Sequence, residues 1–483
     1  MQSLVQYVLK FVAILRDSLQ ETLDSKVLYA MFALSGLIIL AVASISFEPK
    51  PAAKGVEAIL DRFPFAKRIP FSRQEPPLRY ELQDFVQTND KEPWEGSYRF
   101  TIVVHEQNVL NSNGQAEPAK GFFKYQAWQS SLMVEQEEMT AEDRATRKRL
   151  QKLQEEAVMA QQQGKGLQDL LAKVTAEINS VTPAQMERYI KAQLAAQGTL
   201  VAKSVRYAPQ DKDDLRFEVE TEAKAETFRT WPHKAMLGFG AYTYDEDALI
   251  GNQVFFVQDK LIGGIGAGIA MLIASIVTSF FIPNMLRKGT VDMLLAKPLS
   301  RWLLLVYKFI GGLLFMLLNT AVVVVGIWLA LGLRSGLWAP GFLLSIFVMT
   351  FQFAIFYAIS TLVGVTTRSP IVSILAACFA WFILWGVGTF HLFVDATRDL
   401  DLLPKWVVTT TDTANFLLPR YKDLDALSER LTARDLIGPE SPEHKAMEKI
   451  YGKISWGSSI GFTLGWIAIG LGLSCAWFAW KDY

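Results

Sequence analysis

Cysteine is nearly missing from this chain of 483 residues: Cys378 and Cys475 are the two, and both sit inside long apolar runs. That excludes a disulfide framework and the paired Cys-x-x-Cys spacing of a redox or zinc site. Histidine is almost as scarce. His105, His233, His391 and His444 lie far apart in the sequence and form no ligand spacing, so each is read as structural. Net charge is missing too, because 48 Lys and Arg balance 48 Asp and Glu. No basic field points to nucleic acid. There is no G-x-x-x-x-G-K-[ST] phosphate loop and no H-E-x-x-H; Gly164-Lys-Gly166 lies in a Gln-rich stretch of the wrong context. No catalytic, cofactor-binding or metal-binding residue is therefore assigned. The N-terminus lacks the pattern of a cleavable signal peptide, opening instead with an amphipathic stretch that carries Lys10, Arg16, Asp17 and Glu21.

What is abundant is apolar sequence gathered into long blocks, 51% of the chain, with a mean hydropathy of +0.20. A helix crossing a hydrocarbon core about 30 Å thick needs roughly 20 apolar residues. Six blocks qualify as expected spans: 27–47, 261–283, 302–333, 338–367, 371–394 and 456–480. The third is interrupted only by Lys308, near enough to its start to reach the interface. Lys and Arg set the orientation. Lys10, Arg16 and Lys26 precede the first span. Arg287, Lys288, Lys297 and Arg301 lie between the second and third, Arg368 between the fourth and fifth, and Lys481 after the sixth. With an even number of spans these all fall on one side, the cytoplasm, while the short opposite loop holds only Arg334. The expected fold is an α-helical polytopic protein of the plasma (inner) membrane, both termini cytoplasmic.

Two further segments then face outward. The larger, 48–260, is expected to be an α+β insert. Its proline-rich start (Pro49, Pro51, Pro64, Pro70, Pro76, Pro77) reads as an extended linker. Strand patterns follow at Tyr98–His105 and in the aromatic run Phe122–Trp128, and return at Leu200–Tyr207 and Leu215–Thr221. Between them, 139–198 turns to Glu, Lys, Gln, Ala and Leu at helical spacing. Gly164 and Gly166 break it, and Thr182-Pro183 opens a last helix. The expectation is a small β platform bearing a helical hairpin or coiled coil, either a solvated spacer or a dock for an extracytoplasmic partner. The smaller outer segment, 395–455, holds a short amphipathic helix at Asp423–Leu436, expected near the membrane surface, and no signal of chemistry.

The connection 284–301 between the second and third spans is the most informative stretch. Gly289 ends the preceding turns and Thr290 can cap the next. Val291, Leu294 and Leu295 share one face, Pro298 stops the helix, and Ser300 caps the following one. A helix of about two turns is marginal alone in water, so it requires a surface. Lipid headgroups or a cytoplasmic partner would serve.

The run Arg287-Lys-Gly-Thr-Val-Asp-Met-Leu-Leu-Ala-Lys-Pro-Leu-Ser-Arg301, followed by Lys308, resembles the signature loop of type-2 ABC exporter permeases. Three more features are similar to that family. The segment 14–28 resembles its amphipathic elbow helix (1–26 in this chain's layout), the ending Trp477-Phe-Ala-Trp-Lys-Asp-Tyr483 resembles its C-terminus, and six spans with both ends inside match its layout. Arg287-Lys288 depart from the pattern, standing where many members have Glu, and the large insert exceeds the family core. The resemblance implies that the loop is a coupling helix seated in a separate ABC ATP-binding subunit. ATP acts through that partner, and the permease works as a homodimer or heterodimer in membrane lipid. It places the contact on Arg287, Lys288, Thr290, Asp292, Lys297 and Arg301, with Val291, Leu294 and Leu295 as apolar anchors between Gly289 and Pro298. Arg16 and Glu21 of the elbow would be a second contact or a headgroup anchor.

Within the spans, Lys308, Asn319 and Gln352 are the candidate lining of a translocation path, against the plainer reading of hydrogen bonds between helices. A rival for the whole chain is a membrane-anchored scaffold or signalling protein whose insert is the working part, although an anchor has no need of a capped, proline-terminated loop helix.

Overall fold

The computed structural model describes residues 26–66, 76–88, 92–110, 116–118, 121–132, 144, 148, 176, 178–211, 214–223, 227–263, 265–285, 300–398, 403–438 and 441–481. Helix α1 (Lys26–Ala43) leads within three residues into strand β1 (Ser46–Pro49) and helix α2 (Ala52–Leu60). The prolines here do not make an extended linker. Pro49 closes a strand, and Pro51 stands just before a helix, where its fixed φ and missing N–H cost little. Val56, Ile59 and Leu60 then bury on one face of α2.

The insert is built on β2 (Leu78–Gln87) and β3 (Ser97–Glu106), then a small hairpin of β4 (Asn108–Leu110) with β5 (Ala116–Pro118), and helix α3 (Phe122–Leu132). That helix corrects the strand expected from the aromatic run Phe122–Trp128. The Glu106 carboxylate accepts the backbone N–H of Gly121 and of Phe123 at 2.8 and 2.9 Å, which starts a helix. Phe123 and Ala127, one turn apart, then bury together. Helix α4 (Pro183–Ala196) opens as expected at Thr182, whose N–H donates to the Gln185 side chain at 3.0 Å. Met186, Tyr189, Ile190 and Leu194 pack it against the sheet, so α4 lies on the platform and does not project from it. Most of the coil expected before it falls outside the described residues.

Strands β6 (Leu200–Tyr207) and β7 (Arg216–Ala223) complete an antiparallel sheet of order β2-β3-β7-β6. The short helix α5 (Thr227–Thr230) leads to Trp231, which is fully buried. Its indole N–H donates to the Lys50 carbonyl at 2.9 Å, and a Cβ on Gly55 would collide with its ring. Trp231 therefore fastens the main sheet to a second one, β1-β8-β9, with β8 (Pro232–Leu237) and β9 (Tyr242–Leu249). Helix α6 (Ile250–Gln258) starts at the residue after β9. Sheet and helices are thus joined without a linker at both crossings.

After α6 come a π turn (Asp259–Gly263), α7 (Ile265–Thr278), α8 (Phe281–Met285) and α9 (Arg301–Ser335). Gly336, at φ 72°, stops α9 in the left-handed conformation that glycine tolerates. A 3₁₀ turn (Pro340–Leu344) runs into α10 (Ser345–Thr367). Pro370 then opens α11 (Pro370–Thr397), with the Ser369 hydroxyl accepting from the Val372 N–H at 3.5 Å. Helices α12 (Lys405–Leu417), α13 (Tyr421–Leu436), α14 (Pro442–Tyr451) and α15 (Trp456–Trp480) complete the chain.

Among the described residues, four segments are long and apolar enough to cross a membrane: Arg301–Ser335, Pro340–Thr367, Pro370–Thr397 and Trp456–Trp480. Tyr29–Ala43 and Gly268–Thr278 are shorter apolar helices. The second expected span is broken, because the π turn and the turn after Thr278 divide it. Ile371, Leu375, Phe379 and Phe382 of α11 are each more than 60% exposed, a face that requires an apolar solvent.

Helix α13 differs most from expectation. It does not lie on a surface: Tyr421, Leu424, Leu427, Ala433 and Leu436 are buried, and it packs against α6, α10, α11 and α15. The molecule consequently has two distinct ends. At one, Ile282, Met285, Leu304, Leu305, Val365 and Phe478 form a small cluster. At the other, the Arg334 guanidinium donates to the Ala43 carbonyl at 2.9 Å, and α13 packs beside α6 and the 3₁₀ turn.

Candidate functional site

Most of the coupling-loop residues, Arg287, Lys288, Gly289, Thr290, Val291, Asp292, Leu294, Leu295, Lys297 and Pro298, lie outside the described residues, as do Arg16 and Glu21 of the elbow. Arg301 is described. It opens α9, where the Ser300 carbonyl accepts the N–H groups of Leu303 and Leu304 at 3.1 and 3.2 Å. The Arg301 guanidinium donates to the Lys481 carbonyl at 3.3 Å. One end of the loop is thereby fastened to the end of the last helix, and Met285 fixes the other end in the same apolar cluster.

The three polar positions inside the helices do not meet in one chamber. Lys308 is half-buried two turns into α9. Asn319 lines a cavity of about 90 Å³ with Met31, Ser35, Ala270, Thr320 and Met349. There the Ser35 hydroxyl lies 3.5 Å from Asn319 Oδ1, and the buried Thr320 hydroxyl has no partner among the described residues. Gln352, fully buried in α10, donates through Nε2 to the Tyr421 carbonyl at 2.9 Å and to Asp425 Oδ1 at 2.7 Å. It ties α10 to α13. Met349, one turn earlier, lies on both Asn319's cavity and a second cavity beside Asp425.

That second cavity collects residues the sequence reading passed over. It lies between the Gln258–Asp259 turn, the start of α10 and one face of α13, and it is lined by Gln258, Asp259, Ser345, Asp425, Ser428 and Glu429 among others. Helical spacing explains the grouping, since Asp425 and Glu429 stand one turn apart on α13 and both line the cavity. Two of the acids have cations: Lys422 holds Asp425 and Lys260 holds Asp259, each at 2.8 Å. Burial raises the Asp425 carboxyl despite Lys422. Glu429 is pushed up to about 7, first by burial and then by the charges of Asp259 and Asp425. Tyr451, from α14, is raised by burial and by the same three acids, and is hydrogen-bonded to Glu429.

On the opposite side of α13 a second polar group forms. His391 Nε2 lies 3.4 Å from Asp412 and Nδ1 lies 4.0 Å from Asp395. Among the described residues this is the one set of His and Asp ligand atoms within 4.8 Å of one another, a grouping that residue spacing alone does not reveal. Arg398 already supplies its cation, with Nη2 at 2.9 Å from both carboxylates. Nearby Asp423 is buried, raised by that burial, and accepts from the Ser459 hydroxyl at 3.4 Å. Ser459 belongs to Gly457-Ser-Ser-Ile-Gly461, which spells G-x-S-x-G. It sits inside α15 and not at the strand-to-helix elbow that makes such a serine nucleophilic. Of the other histidines, His233 is buried and lowered to about 4 by that burial, and His105 pairs with Glu81 at 2.9 Å.

Compared with known proteins, the family model described as ABC-2 family transporter protein matches residues 107–483, more than three quarters of the chain. The chain belongs to that family. This ABC-2 protein is accordingly a multi-pass membrane protein and a permease subunit of an ABC transporter. The match takes in the part of the insert from residue 107 onward, the loop 284–301 and the four long apolar helices; the first apolar helix precedes it. Neither the curated proteins nor the solved structures returned a match.

Proposed function

We propose that this ABC-2 permease moves its substrate out of the cell, driven by a separate ATP-binding subunit seated on the loop 284–301. In this reading six spans cross the membrane, with α1 and the broken α7–α8 helix supplying the first two. Both termini are cytoplasmic, and two permeases pair with two ATP-binding subunits. The observation that carries the reading is the division of the molecule into two ends. Arg301, Arg368 and Lys481 mark the end where helices are joined by short connections, while the insert and α12–α14 gather at the other. Excess Lys and Arg on the short-loop side is the pattern of a cytoplasmic face.

The same arrangement supports transmission. A loop held at Arg301 by the end of α15 and at Met285 by Leu304, Leu305 and Phe478 passes a push into at least three helices together. Because β1 and β9 continue into α1 and α6 without linkers, the insert follows the helices and is no tethered anchor domain.

Copurification tests this. The full-length chain, extracted in mild detergent from its own cells, is expected to bring an ATP-binding subunit with it. Charge reversals at Arg287 and Lys297 are expected to lose that subunit. Absence of any ATPase across several detergents would remove the transporter drive assigned to the loop.

A further inference from the structure

The cavity beside Glu429 has a charge imbalance and an unmet hydrogen-bonding group, and both ask for the same occupant. Three carboxylates face one another there, Asp259 from the π turn and Asp425 and Glu429 from α13. Among the described residues two ammonium groups answer them, Lys260 and Lys422, each already bonded to one aspartate. Tyr451 adds a hydroxyl and no charge, and the Arg430–Glu448 pair on the outer side of α13 is neutral in sum. One negative charge is left over, and it belongs to Glu429. The second observation is independent of charge. Gln258 is 2% exposed and lines this cavity, and its Oε1 atom has no hydrogen-bond partner among the described residues. A buried amide oxygen left without a donor costs about 1–3 kcal/mol, so such atoms in native proteins face a water or an ion.

We propose that this cavity binds one alkali cation, a sodium ion in the first instance, through the Glu429 carboxylate and the Gln258 Oε1 atom. The donors are oxygens, which select a hard cation. One unbalanced charge selects a monovalent ion over calcium or magnesium. The open space, about 20 Å³, admits one water-sized or ion-sized body and no organic amine. A proton on Glu429 cancels the same charge, so acid competes with the ion. Filling the site joins the end of α6 to α13, and Met349 carries its wall to the cavity beside Asn319. The inference does not depend on the ATP-binding partner.

The test is saturable binding of radioactive sodium to the purified full-length chain in lipid nanodiscs, with choline chloride holding the ionic strength. At about pH 8 the wild type is expected to bind one sodium ion per chain, and at about pH 5 to bind none, because the proton holds Glu429. Glu429→Gln is expected to lose the site. Gln258→Met, which keeps the volume and removes the oxygen, is expected to weaken it by about tenfold, the amount of one lost ligand. Asp423→Asn, on the opposite side of α13, should bind like the wild type. Gel filtration and a melting curve check that each variant folds, and if Glu429→Gln does not, Gln258→Met decides. No saturable sodium at about pH 8, equal binding by Gln258→Met and the wild type, or displacement by micromolar calcium would each overturn the proposal.

Discussion

The insert and the end of the helix bundle that holds α13 bury their polar groups in opposite ways. Within the insert's core the large side chains are apolar or aromatic: Tyr98, Phe100, Phe123, Phe217 and Trp231 are all within 1% of full burial. The buried Trp231 N–H is answered by a backbone carbonyl. At that end of the bundle, helix α13 turns Asp423, Asp425, Ser428, Glu429 and Thr432 inward. Burying a carboxylate costs several kcal/mol unless it is paired, and an apolar residue of similar size would pack there more stably. The insert's main core shows that this chain can fill an interior with apolar and aromatic side chains. The acids in α13 are therefore best explained by function and not by folding.

Breaking the insert should have the largest effect. Trp231→Ala removes the side chain that fastens both sheets to α2, and should cost about 3–5 kcal/mol. Rapid proteolysis within the insert of the full-length chain, with the bundle still protected, is the expected readout. In the bundle, Asp425→Ala strips Lys422 and Gln352 of their partner at once. A loss of about 3 kcal/mol is expected. Replacing Asp425, Lys422 and Gln352 together by Leu, Met and Met should recover most of it, as measured by thermal melting in detergent. If the triple variant is no better than the single one, the acids hold the fold after all and the contrast fails.

A pH series sharpens the contrast further. The Glu429 carboxyl is raised to about 7 in the folded chain, so its contribution is fully present below its ordinary carboxylate range and is lost as pH rises through about 7. Wild-type stability should therefore fall by up to about 1.4 kcal/mol per pH unit across that window relative to Glu429→Gln, and run parallel to it above. A wild-type curve parallel to Glu429→Gln throughout would show that Glu429 titrates normally. The smallest effect belongs to the lipid-facing side: Phe379→Leu, at 68% exposure, should change the melting point by less than about 0.5 kcal/mol equivalent in a bilayer.

How much of this was legible in sequence follows from the same physics. Long apolar runs declare themselves by composition, and the helices Arg301–Ser335, Pro340–Thr367, Pro370–Thr397 and Trp456–Trp480 lie over four of the six blocks. Alternation marked the region of β3, β6 and β7. The aromatic run Phe122–Trp128 misled because β propensity is outweighed by a distant carboxylate, Glu106, that caps a helix. Helix α13 read as a surface helix because its acids count as polar whichever way they point. Only the turn at Gln258–Asp259, some 165 residues earlier, reveals that they share a buried cavity. The loop motif was legible by resemblance, through residues whose order and spacing, unlike their contacts, are visible in one dimension.

The central claim is the polarity of the molecule, with the loop end in the cytoplasm and the insert with α12–α14 outside. Single cysteines at Ser369 and Thr413, placed in a chain whose Cys378 and Cys475 have been replaced by alanine, test it with a membrane-impermeant maleimide on intact cells. The account predicts that Thr413→Cys labels from outside and that Ser369→Cys labels only after the cells are opened. The reverse pattern, or labelling of both from outside, would contradict it.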